Sequence, residues 1–112
     1  MILYEFVFRN QKIDVKEHEV KETAKTYSCL TGHFTYNCLS RISRESLNAV
    51  LNGGFWGISY FCTKNDIETA RKSFADYYRT TVIPNKVREI EMAVKSKEEA
   101  EKQLKILEEK SD

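Results

Sequence analysis

Proline, glycine, cysteine and long apolar runs are all scarce in this chain of 112 residues, and each scarcity excludes something. There is one proline, Pro84, so no Pro-rich linker divides the chain. The glycines Gly53, Gly54 and Gly57 sit close together in Gly53-Gly54-Phe55-Trp56-Gly57, but no Lys-Ser/Thr follows, which excludes a phosphate-binding loop of the usual kind. Cys29, Cys38 and Cys62 form no C-x-x-C pair, so a zinc knuckle is not expected, nor is any metal or cofactor. No apolar stretch approaches the roughly eighteen residues of a membrane span, and the first residues lack the basic and apolar regions of an export signal. These absences lead to the expectation of a soluble protein of the bacterial cytoplasm with no membrane partner. An excess of one charge is missing too. With 18 Lys and Arg against 17 Asp and Glu, the net charge of +1 speaks against a protein held on nucleic acid by its phosphates.

What is present fits one α+β domain. Residues 1–9 alternate Ile2, Tyr4, Phe6 and Phe8 with Leu3, Glu5, Val7 and Arg9, the two-residue period of a strand. Asn10-Gln11 is a candidate tight turn into Lys12–Val15, which makes a hairpin. Glu19–Leu30 reads as one long polar strand, Thr31-Gly32-His33 as a reversal, and Phe34–Ile42 as a further strand. Ser43 is placed to cap a short helical turn towards Val50, and Phe55–Cys62 is the most apolar strand. The sum is an antiparallel sheet of four or five strands over residues 1–62.

Helix follows sheet. Asn65 serves as an N-cap with Glu68 three residues on, and Ile67, Ala70, Phe74, Tyr77 and Tyr78 form the stripe to be buried. Ile83 precedes a proline and is expected to leave helical geometry, with Pro84 opening a second helix that runs to about Glu109. Such a helix is about 39 Å long, against roughly 34 Å for the diameter of a globule of this chain length. Residues 1–82 are therefore expected as the domain and 83–112 as a helical arm that mediates self-association. Its apolar positions Ile83, Val87, Ile90 and Val94 shift further on to Ala93, Ala100, Leu104 and Leu107, as in a coiled-coil seam with a stutter or a change of partner.

No nucleophile, paired-carboxylate or metal motif stands out, so no catalytic residue is assigned and an enzyme is not expected. The three cysteines read as small apolar residues of strands, and His18, between glutamates, as a solvated side chain. The more suggestive set combines cations with aromatics: Arg41, Arg44, Phe55, Trp56, Tyr60, Asn65, Arg71 and Tyr78. Arg forks bind phosphate and aromatic faces stack on bases, so these residues are candidates for a nucleotide-sized anion. Core packing is the plainer account of the same aromatics, with arginine stems covering them.

The segments Glu19-Val20-Lys21-Glu22-Thr23-Ala24-Lys25-Thr26-Tyr27, Ser40-Arg41-Ile42-Ser43-Arg44-Glu45-Ser46-Leu47-Asn48 and Asp66-Ile67-Glu68-Thr69-Ala70-Arg71-Lys72 resemble small uncharacterised proteins of phages and prophages of Gram-positive bacteria. Some phage proteins of this size and layout are counter-defence factors. The resemblance implies a non-enzymatic homo-oligomer that sequesters a small anionic nucleotide signal of host immunity. Two alternatives stand beside it: a protein–protein inhibitor of a host defence effector such as a CRISPR nuclease, and a structural or interaction module of a phage. The nucleotide reading requires Arg41, Arg44 and Arg71 to converge; if they scatter, the inhibitor reading ranks above it.

Overall fold

The alternation of residues 1–9 becomes strand β1 (Ile2–Arg9), which returns through Asn10 and Gln11 into β2 (Lys12–Glu22). Both turn residues have positive φ, 53° and 65°, the backbone that a two-residue hairpin needs to match the twist of its strands. The computed structural model describes residues 1–110; Ser111 and Asp112, included in the expected arm, lie outside the described residues. The further strands are β3 (Thr26–Cys29), β4 (Arg41–Ser43), β5 (Val50–Asn52) and β6 (Ile58–Cys62). They form one sheet in the order β4-β3-β2-β1-β6-β5, with every pairing antiparallel. The α+β class is as expected, with six strands in place of four or five.

Four expected elements are corrected. Phe55–Cys62 is a strand only from Ile58, because Gly54–Trp56 forms a 3-10 turn ahead of it. Glu19–Leu30 is not one strand: β2 ends at Glu22, and the chain reverses before β3. The Thr23 and Thr26 hydroxyls lie 2.7 Å apart, and the Thr26 N–H donates to Thr23 Oγ1 at 3.0 Å, so side-chain bonding closes this turn without glycine. Phe34–Ile42 is mostly loop, because Asn37 and Cys38 adopt positive φ (50° and 53°) in a short 3-10 turn. The helical turn after Ser43 is a 3-10 turn of Arg44–Ser46, with Ser43 Oγ accepting from Glu45 N–H, and Val50 belongs to β5.

Alternation along β1 supplies two cores on opposite faces of the sheet. Leu3 joins Val20, Tyr27, Phe34, Ile42 and Phe61, while Phe6 joins Ile58, Tyr60, Cys62, Ala70 and Phe74. Helix α1 (Ile67–Tyr77) closes the second core with Ala70 and Phe74, while Ile67 and Tyr78 from the expected stripe stay substantially exposed. Asp66, not Asn65, caps this helix: its carboxylate accepts from Thr69 N–H at 3.2 Å and from the Thr69 hydroxyl at 2.6 Å. The hydroxyl and N–H of Thr69 hold that carboxyl below the usual aspartate range, burial opposing them only weakly. Gly57 enters β6 with φ of 87°, and a Cβ there would stand 2.6 Å from the Phe8 carbonyl. Glycine is required where these backbones meet.

The chain divides into two compact units, Met1–Tyr77 and a second that begins at Tyr78. The second opens with a π-helical turn, Tyr78–Val82, and continues as α2 (Ile83–Lys110). Ile83 is thus helical, contrary to expectation. A wider turn ahead of Pro84 relieves the clash of its ring with the carbonyl four residues back and accommodates the missing N–H. Among the described residues, no helix is long and apolar enough to cross a membrane.

Candidate functional site

The sheet register brings polar side chains together inside the first core. Leu3 pairs with His18 across β1 and β2, and Glu5 with Phe61 across β1 and β6. Glu5, His18 and Ser59 therefore share one face as diagonal neighbours, within reach of long side chains. Val20 pairs with Cys29 across β2 and β3, which sets the Cys29 thiol beside His18 on that same face.

Glu5 is fully buried, yet its carboxylate is saturated with donors. Oε1 accepts from Thr35 N–H at 2.9 Å and faces His18 Nε2 at 2.9 Å. Oε2 accepts from Tyr36 N–H at 2.8 Å and from the Ser59 hydroxyl at 3.3 Å. Burial pushes this carboxyl upward, but the His18 hydrogen bond, the Thr35 and Tyr36 N–H groups and the charge of His18 outweigh it and hold it below the ordinary glutamate range. The first consequence is architectural. The carboxylate clips the Phe34–Tyr36 backbone over the sheet, where the Phe34 ring meets His18 edge-on at 4.9 Å and Phe61 at 5.1 Å.

The second consequence is chemical. An ionised carboxylate only accepts hydrogen bonds, so His18 Nε2 must carry the hydrogen directed at Glu5. In the neutral ring this leaves the Nδ1 lone pair free, and Nδ1 faces Cys29 Sγ at 3.8 Å. Thr31 Oγ1 approaches the same sulfur at 3.9 Å, and Cys29 is half-buried. Carboxylate, imidazole and thiol thus stand in a row. His18, expected in solvent, is 6% exposed. Its neighbours Glu17 and Glu19 point to the opposite face of the strand, and they are what made the segment look solvated.

The cation and aromatic set does not converge. Arg41 opens β4, and Arg44, just after it, is bound to Glu22 at 2.8 Å and to the Thr23 carbonyl, with its guanidinium 5.7 Å from the Tyr27 ring centroid. Arg71 is exposed on α1 and paired with Glu68 at 3.0 Å. Helix α1 packs on β6, β1 and β5, while β4 is four strand positions from β6, roughly 19 Å along the sheet. Phe55 is 76% exposed beneath the guanidinium of Arg9, and Trp56 packs edge-on against it at 5.3 Å. Tyr60 is buried in the second core, Asn65 is exposed, and Tyr78 belongs to the unit that begins with it. A cavity of about 260 Å³ at the start of α1 is lined by Asn48, Tyr60, Cys62, Thr63, Lys64, Asp66 and Thr69; of the expected set it includes Tyr60. Among the described residues, no group of three or more His, Cys, Asp or Glu side chains is arranged to hold a metal.

The expected association residues lie on α2 with their apolar atoms facing solvent: Val87, Ile90, Val94, Leu104 and Leu107 are all classed as exposed, as is Ile83. Comparison with protein-family models, with curated proteins and with solved structures gives no match for this chain.

Proposed function

We propose that this protein acts by binding, as a homo-oligomer joined through α2, and that it serves a phage as an inhibitor of a host defence protein in the bacterial cytoplasm. The observation that carries the reading is the exposed apolar seam of α2. A helix of 28 residues draws most of its stability from burying such a stripe. Ile83, Val87, Ile90 and Val94 are spaced four, three and four residues apart, the interval of a two-helix seam.

The charge pattern supports a second copy of the chain as the occupant, in a parallel arrangement. With Val87 and Val94 in one seam row and Ile83 and Ile90 in the other, Lys86 and Glu91 flank the seam five residues apart. In a parallel, in-register pair, Lys86 of each copy meets Glu91 of the other. An antiparallel pair that overlays Ile83–Val94 on Leu104 and Leu107 sets Glu91 beside Glu98 of the other copy, a like-charge contact.

The scatter of Arg41, Arg44 and Arg71, two of them committed to internal ion pairs, ranks the protein inhibitor above the nucleotide-sequestering alternative. Light scattering after gel filtration tests the assembly. Wild type should run as an oligomer and Ile90→Asp as a monomer with its circular dichroism for the sheet unchanged; a monomeric wild type at 100 µM would overturn the proposal. Titration calorimetry with cyclic ADP-ribose isomers and cyclic oligonucleotides should give no heat. Micromolar binding there would restore the nucleotide reading. A stable mixed complex with a purified CRISPR nuclease on gel filtration is the positive outcome for the inhibitor.

A further inference from the structure

Beyond association, the row Glu5–His18–Cys29 has a chemistry of its own. We propose that Cys29 is a nucleophilic thiol, deprotonated through His18, that exchanges with small-molecule disulfides to form a mixed disulfide on the protein.

The row is built from the inside of the sheet outward. Glu5, fixed by the N–H groups of Thr35 and Tyr36, turns the Nε2–H of His18 inward and leaves Nδ1 as the acceptor that faces the thiol. That orientation is held from both sides, because the imidazole is buried and packed edge-on against Phe34. A base oriented by a carboxylate and set against a thiol is the arrangement that activates cysteine. The separation of 3.8 Å is that of a resting pair, which tightens when the proton moves. Access comes from the other side: Cys29 ends β3 at the surface loop of Leu30, Thr31 and Gly32, all exposed.

The step balances without further reagents. The Cys29 proton passes to His18 Nδ1, and the thiolate attacks one sulfur of the disulfide R–S–S–R. A Cys29–S–S–R bond forms as the R–S–S–R bond breaks, and the departing thiolate takes up a proton from His18. Cys29 is oxidised and one half of the small disulfide is reduced to a thiol.

The other two cysteines are built-in comparisons. Cys38 is more exposed than Cys29 but, among the described residues, makes no hydrogen bond to an imidazole. Cys62 is buried and donates its S–H to the Lys64 carbonyl at 2.9 Å, and burial pushes its thiol upward. The experiment incubates the full chain with oxidised glutathione at pH 6.5 and follows each cysteine by peptide mass spectrometry. Cys29 should be modified several-fold faster than Cys38, because a base held against its thiol takes up the proton. In urea, where the row is dismantled, the two rates should become equal. His18→Gln should bring Cys29 down to the rate of Cys38 or below. Because that variant can lose its fold, the comparison of native and urea-unfolded wild type decides independently of it. A native protein in which Cys38 reacts as fast as Cys29, or a preference for Cys29 that survives in urea, overturns the proposal.

Discussion

Replacing Glu5 by glutamine is the sharpest test of what holds the loop to the sheet. The side chain keeps its length and shape, but one oxygen becomes an NH2 donor. If the amide nitrogen takes the place of Oε1, it confronts the Thr35 N–H; if it takes the place of Oε2, it confronts the Tyr36 N–H. His18 and Ser59 can reverse their hydrogen bonds to suit either choice, but a backbone N–H cannot. One buried donor is therefore orphaned in both orientations, at about 1–3 kcal/mol. Exchanging charge-assisted bonds for neutral ones brings the loss to about 2–4 kcal/mol. For a unit the size of Met1–Tyr77 this lowers the melting temperature by about 10–25 °C. Urea denaturation followed from pH 7 to pH 3 adds the sign. The folded carboxyl is depressed, so its contribution is fully present at neutral pH and is lost as pH falls from the ordinary glutamate range through the depressed value. The gap between wild type and Glu5→Gln should be widest at pH 7 and narrow as pH falls below the ordinary glutamate range, since Glu5 once protonated suffers the same orphaned donor. A variant within about 0.5 kcal/mol of wild type at pH 7, or a gap independent of pH, would refute the reasoning.

Two other substitutions probe the packing. Phe34→Ala removes a fully buried ring from between His18 and Phe61 and should cost about 3–5 kcal/mol, measured by the same denaturation. Gly57→Ala should cost about 1–3 kcal/mol, because the added methyl meets the Phe8 carbonyl at 2.6 Å and the φ of 87° is strained for any L side chain; a neutral effect in a thermal melt would show that β1 and β6 can part at that point.

Local chemistry was legible where period and punctuation agreed. The β1–β2 hairpin, the Ile58–Cys62 part of the apolar strand expected from Phe55 and the helix start near residue 66 follow from alternation, from turn residues and from a capping carboxylate. The break between β2 and β3 was not, because Thr-rich sequence suits a strand and its hydroxyls close the turn equally well. The polar row had a readable signal. Once Asn10-Gln11 is the turn, facing residues number 21 together, so His18 must oppose apolar Leu3 and share the face of Glu5. What sequence could not supply was Thr35 and Tyr36, whose backbones arrive by a loop with two positive-φ residues, or Ser59 from β6, adjacent to β1 in the sheet but 54 residues along the chain. Arg44, a candidate for a ligand, is spent on Glu22 and Tyr27, contacts that depend on the turn at Thr23.

The partners of Glu5 also set an order of events in time. They lie 13, 30, 31 and 54 residues further along the chain, so this carboxylate is made before every one of its partners and is among the last groups to be satisfied. Until β6 brings Ser59 alongside and the loop descends, water must solvate it, and the first core cannot close. This order predicts that the rate-limiting barrier is crossed with Glu5 still wet. Changes at this residue should leave the folding rate nearly untouched and appear almost wholly as faster unfolding, making the lifetime of the native state the quantity it controls.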